Sequence, residues 1–514
     1  VNAHRDNESQ DDGRFPVEDD ALHAAPDAAA SDAVDASFLG WVDARLPIRA
    51  FWRRHMSAYR VPRNLNFWYV FGSLATLVLV IQYVSGLFLT MHYKPDAGLA
   101  FASIDRIMRE VRWGWLIRYA HTTGASLFFV VLYLHLFRGL LYGSYRRPRE
   151  LVWLVGCLTF LLVMAEAFFG YLLPWGQMSY WGAQVIVNVF SAIPWVGEGI
   201  ATWIRGDVTV SDVTLNRFFA LHVVAVPIAL LLIVALHLTT LRQVGSNNPD
   251  GIDLPRGDDA VSVAAREADT LPFHPYFVVK DVLAAGVFLL VFALIVFYAP
   301  TMHGYFVEPI NALPANPLRT PDDITPIWYF MPFYAILRAV TTPFQWGMVV
   351  VAAVWGVAGL FPSRRASLPA TTARRVGGRV RAVLALLLIA ALLSTQAKLW
   401  GVVLMLGAVG VWCAVPWLDR APVRSIRYRP FHQRLWYGAV AVAFVGLGVL
   451  GGLPTGERVT VLSQCAACVY FAFFLGMPWW SARGPFRMLP TRLSGGASET
   501  VGRARNAGEA GGAR

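Results

Sequence analysis

Long apolar stretches alternate along the chain with short polar or basic ones. Ten apolar stretches stand out, at about 67–92, 115–141, 151–172, 217–241, 281–300, 345–361, 382–397, 398–417, 432–451 and 462–480. Most approach the roughly 20 residues that a helix needs to cross the hydrocarbon core. A chain in lipid must satisfy its backbone internally, and a helix does so within one segment. The pattern predicts an all-α, polytopic membrane helix bundle of about ten spans.

Polar residues inside the spans are few, and their spacing is informative. The second span carries His121 and His135, fourteen residues apart. At 100° per residue this is almost four full turns, so both imidazoles face one way, roughly 21 Å apart along the axis. The fourth span carries His222 and His237, fifteen apart. A lone histidine in an apolar helix is ordinarily a packing residue. Two matched pairs suit two stacked metal cofactors, one imidazole above and one below each, in a four-helix core. Two bis-histidine haems, one near each membrane face, follow as the physical reading.

Glycines repeat the same period. Gly72 and Gly86 lie in the first span, and Gly156 and Gly170 in the third. Small residues often serve helix packing in membranes. At the histidine period they also fit the close approach of something flat. Arg118 lies three residues before His121 and Arg138 three after His135, where guanidinium groups could pair with cofactor carboxylates or simply reach the interface.

Composition narrows the class. Of 514 residues, 56% are hydrophobic and 15% charged, and the net charge is +11. The excess of Lys and Arg concentrates in short loops such as 144–150, 363–381 and 419–429, a positive-inside bias rather than a nucleic-acid surface. These loops fall on one side, taken as the cytoplasm, with both termini. His121 and His222 then lie near the positive side of the membrane, and His135 and His237 near the cytoplasm. Residues 1–45 are Asp-, Ala- and Ser-rich and read as a disordered acidic tail without a signal-peptide pattern. Residues 46–65 are basic and suit a helix on the cytoplasmic face. The four cysteines form no disulfide framework. Cys465 and Cys468 make a CxxC, but Val469 follows where covalent haem attachment needs His.

Together these residues resemble cytochrome b, the quinol-oxidising subunit of bacterial respiratory complex III, from about residue 60 to 490. The most specific piece is GYLLPWGQMSYWGAQVIVNVFSAIPWVG at 170–197. GSNNPDG (245–251), FHPYFVVKD (273–281), WYFMPFYAILR (328–338) and PWLDRAPVRSIRYRP (416–430) add to it, the last resembling the form with a long C-terminal region. The resemblance implies two non-covalent b-type haems, the low-potential one on His121 and His222 and the high-potential one on His135 and His237. Gly72, Gly86, Gly156, Gly170, Arg118 and Arg138 are the implied haem contacts. It implies a quinol-oxidising pocket with Gly182, Pro326, Ile327, Trp328, Tyr329 and Tyr334. A quinone-reducing site with Ser73, Arg242, Lys280 and Asp281 is implied on the cytoplasmic side. Quinol would pass one electron to a Rieske iron–sulfur protein and on to a c-type cytochrome, and the other across both haems.

That resemblance also divides the chain. Residues 1–45 form the tail, 46–245 the dihaem four-helix domain, and 246–344 the fifth span with the quinol-pocket loop. A two-helix hairpin follows as an insertion at 345–397, then a three-helix region at 398–490 and a tail at 491–514. The implied setting is the bacterial inner membrane, with lipid contact, in a homodimeric complex without nucleic acid. Rival readings are a dihaem anchor for another dehydrogenase, and a transporter with proton-relay histidines. The anchor proteins lack the 170–197 and 328–338 motifs.

Four departures stand out. The family's Pro-Glu-Trp-Tyr reads Pro326-Ile327-Trp328-Tyr329, and isoleucine cannot accept a proton. Glu166 lies in the third span, four residues before Gly170, where the family generally has a small or hydroxyl residue. A carboxylate in a span costs of order 2–3 kcal/mol. Glu166 is therefore expected to replace the missing glutamate as the proton acceptor, with an ion pair or a water cavity as the plainer role. Arg242 stands where many members have His, able to hold a quinone oxygen but not to exchange a proton. Lys280 and Asp281 remain as proton-delivery candidates. Lastly, the fifteen-residue spacing of His222 and His237, as in photosynthetic relatives, requires the helix to absorb about 100° of rotation.

Overall fold

A computed structural model describes residues 38–255, 257–360 and 372–493. The acidic segment before residue 38, most of the C-terminal tail and the basic loop 361–371 lie outside the described residues.

The chain is helical almost throughout. Four helices build the first half: α1 (Phe71–Thr90), α2 (Gly114–Tyr142), α3 (Glu150–Leu172) and, after a shorter helix α4 (Gln177–Phe190), the long α5 (Asp212–Val244). The second half contains α6 (Val278–Tyr298), the short α7 (Met331–Ala339), α8 (Thr342–Leu360), α9 (Thr372–Ser394), α10 (Ala397–Leu418), α11 (Phe431–Gly451) and α12 (Glu457–Trp480). Among the described residues, eight helices are long and apolar enough to cross a membrane, or nine if α7 and α8, bent by 79°, are one span. The difference from ten lies at 345–361, which counts only when joined with α7, and at 382–397. That apolar run is only the second half of α9, whose first half carries Arg374, Arg375, Arg379 and Arg381.

Two further details depart from expectation. Phe38–Asp43, expected to belong to the disordered tail, is a short helix. In the segment 46–65, helix covers only Ile48–Trp52 and a wide turn to Ser57, and the rest enters a ladder. There β1 (Arg60–Pro62) pairs antiparallel with β2 (Thr270–Pro272), Val61 opposite Leu271. The Arg60 side chain donates to the Thr270 hydroxyl at 2.9 Å and to its carbonyl at 3.0 Å. This clip joins the segments leading into α1 and α6, and only tertiary contact could create it.

α8 and α9 pack as a hairpin. Gly356 lies so close to Ala385 that an added Cβ would stand 2.6 Å from its methyl group. Gln345, buried in α8, donates to the carbonyls of Leu392 and Thr395 at the far end of α9.

The main core lies where α2 and α3 meet α7, α10, α11 and α12. Several of its buried aromatic residues satisfy their polar tips within the core, as lipid-depth burial favours. Trp153 donates to the Trp412 carbonyl at 2.7 Å, Trp412 to the Tyr470 hydroxyl at 2.8 Å, and Tyr470 to the Ala408 carbonyl at 2.6 Å. At one end of the bundle the PWLDR…RYRP motif forms a latch. The buried Asp419 carboxylate accepts from Tyr145 at 2.6 Å, Arg146 at 3.2 Å and the fully buried Arg429 at 2.5 Å. Burial alone would raise the Asp419 pKa, but the two guanidinium groups outweigh it and hold the carboxyl below its usual range.

Candidate functional site

α1 packs against α2, and α3 against α5. Each glycine pair therefore faces the histidines of its partner helix. An added Cβ on Gly72 would lie 3.3 Å from His135, and one on Gly86 3.3 Å from His121. On Gly156 it would lie 3.1 Å from His237, and on Gly170 2.4 Å from His222. The last cannot be accommodated without displacing the ring.

Across the bundle the histidines meet in two pairs. Ring centroids are 6.1 Å apart for His121 and His222, and 6.5 Å for His135 and His237. Two metal–imidazole bonds of about 2 Å plus the two ring offsets come to roughly 6 Å. Both pairs can therefore hold one metal between two imidazoles. The unequal spacing on α5 is absorbed locally. Leu221–Ala225 is a π turn, closed by the Val226 amide donating to the Leu221 carbonyl. A wide turn takes up an extra residue, so His222 and His237 share a face although fifteen residues separate them.

At three of the four histidines Nδ1 is engaged by a neighbour, which fixes a ligand's orientation. His121 Nδ1 is 2.9 Å from the Ser85 hydroxyl, which itself donates to the Ile81 carbonyl. His222 Nδ1 lies 3.0 Å from the Glu166 carbonyl oxygen and 3.0 Å from its carboxylate Oε1. At the other end, the Arg138 guanidinium is 3.3 Å from His135 Nδ1 and stacks 4.7 Å over the Tyr69 ring.

One cavity of about 490 Å³ opens from the His121–His222 pair. Its wall includes Arg118, Glu166, Glu308, Ile327 and Tyr329. Tyr329 is held by stacking on Phe129 at 3.9 Å, and its carbonyl accepts from Tyr133 at 2.6 Å. Trp328 donates to the Ser126 hydroxyl at 3.2 Å, and Tyr334 to the Ile324 carbonyl at 3.0 Å. Pro326 is buried beside Ile327. Gly182 is buried in α4, with Tyr171 3.5 Å from where its Cβ would be. Of the expected pocket residues, Ile327 and Tyr329 line the cavity, and Gly182, Pro326, Trp328 and Tyr334 do not.

The roof is a docked loop. Trp175 adopts φ 52°, rare for a large side chain, and its carbonyl accepts from Ala315 at 3.0 Å. Gln177 N–H donates to the Leu313 carbonyl at 2.9 Å, and Ser179 N–H to Asn311 Oδ1 at 3.0 Å. Gly176 is required here, since its Cβ would stand 2.2 Å from Asn311 Oδ1. These bonds pin the loop and bring Glu308 into the cavity wall. Burial pushes the Glu308 carboxyl up to about 7, even though the Tyr171 hydroxyl beside it favours the charged form.

A second cavity of about 680 Å³ lies toward the other end, between α1, α2 and α6. Lys280, Asp281, Asn66 and Tyr69 line it. Ser73 lies beside Asp281 and donates to the Val70 carbonyl at 2.9 Å. Lys280 sits 4.9 Å over the Phe277 ring. Arg242 is not in the lining of this cavity. Its guanidinium stacks 4.0 Å over Tyr59 and 5.6 Å from Phe273, next to the β1–β2 clip.

Glu308, Tyr171 and Ser85 were not singled out from the sequence. Ser85, a hydroxyl one residue before Gly86, offered a signal. Glu308 offered none, because its burial depends on loop docking.

Comparison with known proteins gives the family. Residues 56–245 match the family described as cytochrome b/b6/petB, and residues 314–395 and 386–471 match its C-terminal b6/petD counterpart. The chain is 48% identical over 457 residues to cytochrome b of Allochromatium vinosum, covering 89% of this chain and 98% of that one. Cytochrome b of Rickettsia prowazekii is 45% identical over 435 residues, covering 85% and 92%. A chain of a solved structure titled hyperthermophilic respiratory complex III is 33% identical, with a TM-score of 0.70 over 86% of this chain and 98% of its own. With its histidine pairs, its glycine-lined helices and both halves of the sequence matched, the chain belongs to the cytochrome b family of complex III.

Proposed function

We propose that this protein is the dihaem quinol-oxidising and quinone-reducing subunit of a proton-translocating quinol:cytochrome c oxidoreductase. The observation that carries the reading is the cavity that joins the His121–His222 pair to Ile327, Tyr329 and two carboxylates. Family membership brings b-type haem, and the two histidine pairs fit one haem each. When bound, the haems supply one-electron transfer across the membrane.

The chain's own residues do the rest. His121 and His222 hold the low-potential site, and His135 and His237 the high-potential site. The glycines leave room for flat macrocycles, and Arg118 and Arg138 pair with their carboxylates. Tyr329 and Ile327 form the wall against which quinol is oxidised, and the roof loop excludes water. In the second cavity Lys280 and Asp281 deliver protons to the quinone being reduced, with Ser73 beside Asp281. Glu166 bonds a ligand histidine and so orients that ring.

A Rieske iron–sulfur protein takes the other electron and passes it to a c-type cytochrome. Both termini lie in the cytoplasm of a bacterium, and the His121–His222 end faces the positive side of the inner membrane. The complex is a homodimer.

The test is a reduced-minus-oxidised spectrum of the purified chain. Two b-type haems per chain, one lost in His121→Ala and the other in His135→Ala, are expected. A spectrum without haem bands, as a transporter would give, defeats the reading.

A further inference from the structure

The cavity holds two carboxylates, and they are placed differently. Glu166 Oε1 lies 3.0 Å from His222 Nδ1, so it is engaged with a ligand. Glu308 comes from the loop beyond α6, pinned by Asn311 and the Gln177 segment, and touches neither histidine pair in the hydrogen bonds and ion pairs described. Its Oε2 is sealed from solvent and completes no hydrogen bond of normal geometry among the described residues. The Tyr171 hydroxyl is in the same state, and the two groups stand next to each other. A buried carboxyl oxygen left without a partner is costly. Such a pair is an acceptor site awaiting a donor.

Ile327 removes the carboxylate that the family motif places in this wall, and the wall regains one from the loop. The titratable groups facing Glu308 are Tyr171 from α3 and Tyr329 from the segment before α7. Arg118 and Glu166 line the same cavity farther toward the histidines. The residue as a whole is only half-buried, so a path to solvent on the loop side is short.

We propose that Glu308, partnered by the Tyr171 hydroxyl, accepts one of the two protons released when quinol is oxidised in this cavity, and hands it to solvent. The inference rests on the quinol-oxidising role proposed above. The step balances. Quinol loses two electrons and two protons to become quinone; one electron goes to the iron–sulfur partner and one to the b-haem chain. One O–H proton moves to the Glu308 carboxylate, giving the neutral acid, which then releases it to water. The other leaves with the iron–sulfur partner. Glu166 keeps its place on His222 and is not the first acceptor.

The experiment uses the assembled complex in its own membranes with the quinone-reducing site inhibited. A short-chain ubiquinol is mixed in, and low-potential haem reduction is followed from about pH 5.5 to about 9, on both sides of neutrality. Wild type is expected to gain rate through one ionisation near neutral pH. Glu308→Gln should lose about 10²-fold and lose that limb, while Glu308→Asp restores the limb. Tyr171→Phe keeps the ring and removes the donor that favours the charged form, so the limb should move to higher pH. A wild-type rate and limb in Glu308→Gln, with a normal haem spectrum, overturns the inference. So does an unmoved limb in Tyr171→Phe should Glu308→Gln fail to assemble. If wild type holds two haems that ubiquinol cannot reduce, the quinol-oxidising role itself falls, and this step with it.

Discussion

Gly170 presses on His222 more closely than any other glycine on its histidine: a Cβ at Gly170 would lie 2.4 Å from His222 Cε1, against 3.1–3.3 Å at the other three sites. The expected outcome of Gly170→Ala is loss of one b haem per chain, with a smaller loss in Gly86→Ala. Haem stoichiometry by pyridine haemochrome measures this. Equal haem content in the two variants would show that the ring moves freely.

Glu166 should act first on the ligand. In Glu166→Gln the charged partner of His222 Nδ1 is gone, while the backbone carbonyl at 3.0 Å remains. Loss of a partner behind a metal-bound histidine typically costs 10–100-fold in affinity or activity. A shift in the midpoint of the low-potential haem is expected, with the high-potential haem unchanged. Redox titration of the two haems reads both, and an unmoved low-potential midpoint refutes the orienting role.

Asn311 fastens the roof. Its Oδ1 accepts from the Ser179 amide, and both residues are buried. Asn311→Ala strands that amide at a cost of about 1–3 kcal/mol and loosens the loop that carries Glu308. Quinol turnover should fall with a raised KM, and haem content should stay normal. Steady-state kinetics over quinol concentration separates this from a haem defect.

Arg429 and Asp419 form the buried latch between the PWLDR motif and the turn after α2. Arg429→Ala leaves a buried carboxylate with only Arg146 and Tyr145, and should destabilise by about 3–5 kcal/mol. The pH sign follows from the depressed Asp419 pKa. Its stabilisation is present in full above the ordinary carboxylate range, near 4, and is lost as pH falls through the lowered folded value. Wild type should therefore keep the latch at pH 5, and only stronger acid should open it. Thermal melting in detergent at pH 5 and 7 checks this, and equal melting of Arg429→Ala and wild type would dismiss the latch.

Much of the bundle could be read in advance because lipid leaves the chain few choices. Apolar length marks α1, α2 and α3, and His121 and His135 share their fourteen-residue spacing with Gly72 and Gly86, which meet them in the bundle. What failed to show depends on contacts between distant segments. Strand Arg60–Pro62 exists only because Thr270–Pro272 lies beside it. The 382–397 run read as a span because hydropathy does not see that α9 begins ten residues earlier among arginines. Glu308 looked like an ordinary loop acid, and only the docking of its loop on Gly176 and Ser179 turned it into part of a cavity wall.

The π turn at Leu221–Ala225 has a consequence for how this helix can vary. It works as a phase buffer. One surplus residue is swallowed in a single loose turn, and the rotation it would impose never reaches the half of α5 that carries His237. Insertions or deletions of one residue should be survivable within that turn, and ruinous a few residues farther along, where nothing can unwind to hide them.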